Sequence, residues 1–218
     1  AWHAVRSIET VIGIVGNLLV IVVILKHRRL HTPANYLLIS LAGSDIIMNI
    51  HGPLMVILDQ LQIRHEYDLW IPLCYFATAL VLYGGNINLF GIMLSAVDRF
   101  ISVKYAITYR LKMTNKKMKI IIVMQWIILC IKIIMEQIMG ANVNIHKICL
   151  AENILNAKQA QISAVFLFII PSIITTSLYV YVVSVARRRL QKNTRKEEGG
   201  SRHQRAQIRM TRVMTVVF

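Results

Sequence analysis

The sequence predicts an all-α fold, a multi-pass bundle of transmembrane helices forming one domain over residues 1–218. Three observations carry that prediction. Hydrophobic residues make up 56% of the chain and charged residues only 16%, whereas a soluble domain carries about a quarter charged residues. The apolar residues gather into long blocks rather than short alternating runs. The basic residues gather into every second connection between those blocks.

The blocks give spans of roughly 8–25, 36–61, 73–103, 120–139 and 160–185. A sixth span, 208–218, is truncated where the chain stops. Crossing a bilayer core takes roughly 20 mostly apolar residues, and each complete block meets that length. Helix is the expected form, because lipid offers backbone N–H and C=O groups no partner of its own. The first block is followed by a basic connection instead of a small-residue cleavage site, so it reads as a span and not as a signal peptide. The missing initial Met and the stop at Phe218 predict a piece of a longer chain. Gln191–Gln207 is polar and charged and carries a Gly pair, which predicts a mobile cytoplasmic loop. Val143 to His146 alternates apolar and polar residues, a short-hairpin signal.

The net charge is +15. In a soluble protein that would suggest nucleic acid, but no basic motif interleaved with aromatics occurs, and position gives another meaning. Of the 25 Lys and Arg, three lie in Lys26–Arg29, seven between Arg99 and Lys119, and ten between Arg187 and Arg212. These connections follow blocks one, three and five and share one side of the membrane. The positive-inside rule makes that side cytoplasmic and the N-terminus extracellular. Cys74 and Cys149 then both face the oxidising side, where a disulfide persists. A bridge between them is the expectation, with two free thiols as the alternative. Cys130 lies inside the fourth block and reads as a small buried apolar residue.

No enzyme signature is present. The seven His show no metal-ligand spacing, and there is no serine elbow or phosphate loop. The polar residues within the spans are more informative. Asn17, Asp45 and Asn88 would be costly facing lipid, so they should converge on the bundle interior. There an acid with amide oxygens suits a hard cation, or the three form a satisfied cluster that orients helices. Cys74 and Arg99 stand 25 residues apart, about 37 Å of helix. Cys74 therefore marks the outer face and Asp98-Arg99 the inner one. Arg99 reads as a partner-exchanging switch or as a snorkelling anchor. Pro171 should kink the fifth span, and the Tyr179 hydroxyl needs a partner at its depth. Lys132 and Glu136 stand i,i+4 and should pair, with a snorkelling pair at the outer interface favoured over a pocket role.

Taken in order, GNLLV at Gly16–Val20, TPANYLLISLAGSD at Thr32–Asp45, Cys74 with Asp98-Arg99-Phe100, Trp126, and Pro171 with Tyr179 resemble a rhodopsin-like (class A) G protein-coupled receptor. The resemblance covers essentially the whole chain and implies a seven-helix fold, of which about five and a half helices are present. It implies that Asn17, Asp45 and Asn88 form a buried polar core with a sodium ion, although the family often has Ser where Asn88 stands. It implies that Asp98, Arg99, Tyr179 and Pro171 form the activation switch, and that Cys74 and Cys149 are bridged. Phe100 replaces the more usual Tyr and Ala106 a usual Pro. Val81 stands where amine receptors of the family carry Asp, which implies a non-amine ligand such as a peptide. By position, Val81, Leu82, Gly85, Ser163 and Leu167 line the pocket.

The sequence is thus read as a plasma-membrane receptor that transmits an extracellular ligand to a heterotrimeric G protein, without covalent chemistry. The rival readings are an ion transporter or channel using Asp45, and a truncated receptor that does not signal.

Overall fold

The structure, a computed structural model, describes residues 2–63, 67–140 and 161–199. Every regular element among them is helical. Helix α1 runs Trp2–Lys26, α2 Pro33–Ile63, α3 Tyr67–Lys104, α4 Ala106–Lys112, α5 Asn115–Gly140 and α6 Ile170–Gly199. A 3-10 turn, Arg28–Leu30, joins α1 to α2, and a π-helical turn, Ala164–Ile169, leads into α6. Five segments are long and apolar enough to cross a membrane: Ile8–Lys26, Pro33–Leu61, Asp68–Lys104, Asn115–Ile138 and Gln161–Arg189. They correspond to the five complete blocks. The truncated span 208–218, Cys149 and the hairpin signal at 143–146 lie outside the described residues.

Local chemistry sets the helix starts. The Thr32 hydroxyl accepts from the Asn35 N–H at 3.3 Å, and Pro33 opens α2 at the first position, where its missing N–H would have no helical partner anyway. Thr114 caps α5 in the same way, accepting from the Lys117 N–H at 3.3 Å. Pro171 lacks the N–H that would bond the Leu167 carbonyl. The chain accommodates it by widening into the π turn just before it, so the expected disturbance is a change of helix type.

Two sequence expectations are corrected here. Gln191–Gly199, read as loop, continues α6. Its Lys, Arg, Gln and Glu are good helix formers, and a helix leaving the membrane needs no apolar face. Cys130, read as buried, is exposed on α5. In a membrane helix an outward thiol meets lipid instead of water, so its apolar character does not require protein around it.

Helix α3 is the shared element. It packs most extensively on α2 and also on α4, α5 and α6, while α1 leans on α2. The α2–α3 crossing is close because of Gly84. A Cβ there would lie 2.8 Å from Met48 Cγ and 3.3 Å from the Ser44 carbonyl oxygen. Where α2 ends and α3 begins, Leu58, Trp70, Cys74 and Ala77 form a buried cluster. Cys74 is fully buried and disulfide-bonded. The outward faces are apolar, with Ile12, Ile128 and Phe166 all exposed. Apolar faces of that extent need lipid against them.

Candidate functional site

Two cavities open along α3, one in its N-terminal half, called outer after the orientation the sequence predicts, and one at its C-terminal end, called inner. The outer cavity has a volume of about 530 Å³. Val81, Leu82 and Gly85 from α3 line it together with Ser163 and Leu167. The structure thus brings the five position-assigned residues to one cavity. Met48 and Asn88 also line it, which places the buried polar core beside the cavity.

Lys132 and Glu136 of α5 line the same cavity. Lys132 Nζ meets Glu136 Oε2 at 2.6 Å, and the Ser163 hydroxyl donates to Glu136 Oε1 at 2.5 Å. The two side chains are only 24% and 12% exposed. The expected pairing is present, but its place differs from the interfacial site favoured by sequence. The i,i+4 register puts both on one face of α5, and Ser163 gives the carboxylate a second partner that water or headgroups would otherwise supply.

In the polar core, Asn88 Nδ2 donates to Asp45 Oδ1 at 2.6 Å, and Asn49 Nδ2 donates to the Asp45 carbonyl at 2.8 Å. Ser44 is fully buried and its hydroxyl donates to the Leu41 carbonyl at 2.8 Å. Asn17 does not join them by a hydrogen bond, because its amide donates to Gly13 of its own helix at 2.9 Å. This arrangement fits sodium poorly. A hard cation wants converging oxygens, whereas Asn88 turns its N–H₂ toward the carboxylate and Asn17 turns away. Among the described residues, no group of three or more His, Cys, Asp or Glu converges to hold a metal.

Sequence reasoning missed a second polar tie between helices. Trp126 Nε1 donates to the buried Ser40 hydroxyl at 2.9 Å, and the Tyr83 hydroxyl donates to the Trp126 carbonyl at 3.1 Å. The two rings meet edge to face, 5.9 Å apart. The available signal was an indole inside an apolar span, whose N–H demands a partner. That rule does not say which one.

The inner cavity has a volume of about 670 Å³ and is lined by Asp98, Arg99, Tyr109, Arg110 and Arg189, among others. Asp98 is 5% exposed and accepts from the Tyr109 hydroxyl at 2.5 Å. Burial, and then that carboxylate, pushes the Tyr109 phenol well above its ordinary range, so it stays a donor. Tyr109 was not anticipated. It comes from α4, a helix of seven residues, short enough to be read as connection. Arg189 Nη2 donates to the Val103 carbonyl at 3.1 Å, tying α6 to the end of α3. Tyr179 is 40% exposed on the flank of α6 and does not line this cavity. It is Tyr181 that packs on Phe100, with centroids 5.0 Å apart.

The fold and these sites define a multi-pass membrane protein with a cavity at each end of one central helix. The seven-transmembrane receptor (rhodopsin family) profile matches residues 16–218, and the chain belongs to that family. It is a receptor family, not one of enzymes. Neuromedin-U receptor 2 of Mus musculus is 32% identical over 124 residues, covering 56% of this chain and 31% of that receptor. Muscarinic acetylcholine receptor M4 of Gallus gallus is 27% identical over 199 residues, covering 88% and 40%. Trace amine-associated receptor 9 of Homo sapiens is 28% identical over 200 residues, covering 87% and 56%. The chain spans from about a third to just over half the length of these curated relatives.

Proposed function

We propose that this chain is the helical core of a plasma-membrane G protein-coupled receptor that passes binding of an extracellular non-amine ligand to a heterotrimeric G protein. The observation that carries the reading is the paired cavities. Val81 on the outer wall and Arg99 on the inner wall stand 18 residues apart on α3, about 27 Å of continuous helix. One rigid rod thus touches both sites, and a ligand that prefers one packing of its outer end biases the other. The basic connections support an extracellular N-terminus. The apolar Val81 and the internally neutralised Lys132–Glu136 pair support a ligand other than an amine. Relatives named for neuromedin U, acetylcholine and trace amines lie at similar distances, so the residues of the cavity decide more here than kinship does.

Arg99→Ala in the full-length receptor tests the proposal. Nucleotide exchange on the G protein should be lost while surface delivery is kept. Unchanged exchange would refute the switch, and ion flux without exchange would favour a channel instead.

A further inference from the structure

We infer that Lys132 is the charge-reading end of the outer cavity and that the cavity takes a ligand with a carboxylate on an apolar body. This rests on the cavity being the ligand site and goes on to name the ligand's chemistry. Accessibility separates the two charges of the pair. Glu136 Oε1 accepts from the Ser163 hydroxyl, and Oε2 is ion-paired with Lys132 at 2.6 Å but buried and without a hydrogen bond. Lys132 carries three N–H donors and lies against one acceptor, Glu136. It is also the more exposed of the two, 24% against 12%. The accessible charge at this end of the cavity is therefore the ammonium. A cationic head would have to reach a buried carboxylate oxygen, whereas an anionic head meets the more exposed ammonium.

The rest of the wall agrees. Val81, Leu82, Leu167 and Phe168 are apolar, Asn86 and Asn88 are neutral, and among the described residues no acidic one other than Glu136 lines the cavity. Holding the ammonium beside Glu136 keeps the site neutral until a ligand arrives, which limits the desolvation penalty of an ion inside the membrane. The carboxylate could belong to the C-terminus of an apolar peptide or to a free aliphatic acid, since the chemistry read at Lys132 is the same.

The test uses the full chain in lipid nanodiscs and ligand-observed NMR titration. The probes are octanoate, octanol, octylamine, and the dipeptide Phe-Leu as free acid and as amide. At least one carboxylate probe should bind more tightly than its neutral or cationic counterpart. Lys132→Gln should weaken it roughly tenfold or more, as expected for loss of a hydrogen bond to a charged group. Glu136→Gln should strengthen it, because it frees Lys132 from its competitor. A pair that only braces the helix would make both variants move the same way, and that result overturns the inference. So does preference for octylamine, or the absence of any carboxylate binding. Lys132→Arg, which keeps the charge, should retain binding, and the thermal midpoint of each variant without probe separates misfolding from lost contact. Octanoate binding points to aliphatic acids; binding of the peptide acid alone points to a peptide C-terminus. Nucleotide exchange is read separately. Carboxylate binding without exchange would sink the receptor reading and leave this one standing, while exchange driven only by ligands without a carboxylate would do the reverse.

Discussion

Gly84 and Gly85 are neighbours in sequence and opposites in surroundings. A Cβ built on Gly84 meets Met48 Cγ at 2.8 Å, Ile47 Cγ2 at 3.3 Å and the Ser44 backbone oxygen at 3.3 Å. A Cβ built on Gly85 meets nothing within 4 Å, because it points into the outer cavity. Gly→Ala in a helix interior gains about 1 kcal/mol of helix propensity at either site. At Gly84 the methyl also overpacks the α2–α3 crossing, at a cost of roughly 1–3 kcal/mol. Met48 can swing aside, but the backbone carbonyl of Ser44 can retreat only if α2 moves with it. Gly84→Ala should therefore come out neutral to about 2 kcal/mol destabilised, and Gly85→Ala up to about 1 kcal/mol stabilised. At about 2–4 °C per kcal/mol for a chain of this size, a mid-range difference of about 2 kcal/mol separates their melting points by roughly 4–8 °C. Differential scanning fluorimetry of the two purified variants measures it. Equal midpoints, or Gly85→Ala melting lower, would refute the helix crossing as drawn. Ligand binding should report the reverse order, with Gly85→Ala narrowing the cavity.

Tyr109→Phe should remove a bond to the buried Asp98 carboxylate worth about 1.5–3 kcal/mol, seen as raised basal nucleotide exchange and a lower melting point in the full-length receptor; unchanged basal exchange would show that the bond does not restrain the inner end. The Tyr109 phenol is raised in the fold, so its contribution is fully present below the ordinary tyrosine range near 10 and is lost only as pH rises through the higher folded value. Tyrosinate absorbance should accordingly lose a late-titrating component in the variant, and identical titrations would contradict the buried contact. Asn88→Ser replaces an N–H donor facing Asp45 by a hydroxyl that can turn its oxygen outward, so ligand affinity should gain sodium dependence in the variant and show little before it. Strong sodium dependence in the unaltered protein would mean that Asn88 turns its amide oxygen to the ion. Trp126→Phe keeps the aromatic body but orphans the Ser40 hydroxyl, which should destabilise by about 1–3 kcal/mol, measurable as a lower melting point. Adding Ser40→Ala should recover part of that loss.

Much of the architecture was readable because lipid makes helices announce themselves by length. The five complete blocks needed no packing information. What stayed hidden was which side of each helix faces protein. In water, polarity marks the outward face. In lipid both faces are apolar, so Cys130 could be read as buried and still lie exposed on α5. The same ambiguity hid the inward turn of Lys132 and Glu136, whose pairing was legible from spacing alone. Trp126 could be singled out, but its partner Ser40 lies 86 positions away, and no local period reaches that far. Tyr109 was missed because α4 has only seven residues, too few for periodicity to register.

The polar contacts also form a pattern that no single one shows. Asn88 ties α3 to α2 through Asp45, Tyr83 ties α3 to α5 through the Trp126 carbonyl, and Trp126 ties α5 back to α2 through Ser40. These three bonds close a triangle of helices around the middle of α3. Within lipid, where apolar packing does not favour one helix partner over another, directional bonds of this kind fix which helices touch and in what register. α6 lies outside the triangle. It meets α3 through the Phe100–Tyr181 ring contact and the Arg189–Val103 bond near the inner end, and the segment leading into it bonds α5 at the outer cavity through Ser163 and Glu136. A bundle built this way has a half tied by polar bonds, α2–α3–α5, and a helix whose polar bonds to the rest lie at two separated points with a π turn between them. Motion driven from the outer cavity should therefore appear as displacement of α6 against a fixed α3, since moving α3 would break the Asn88 and Tyr83 ties in the middle of the bundle, whereas moving α6 leaves all three bonds of the triangle in place.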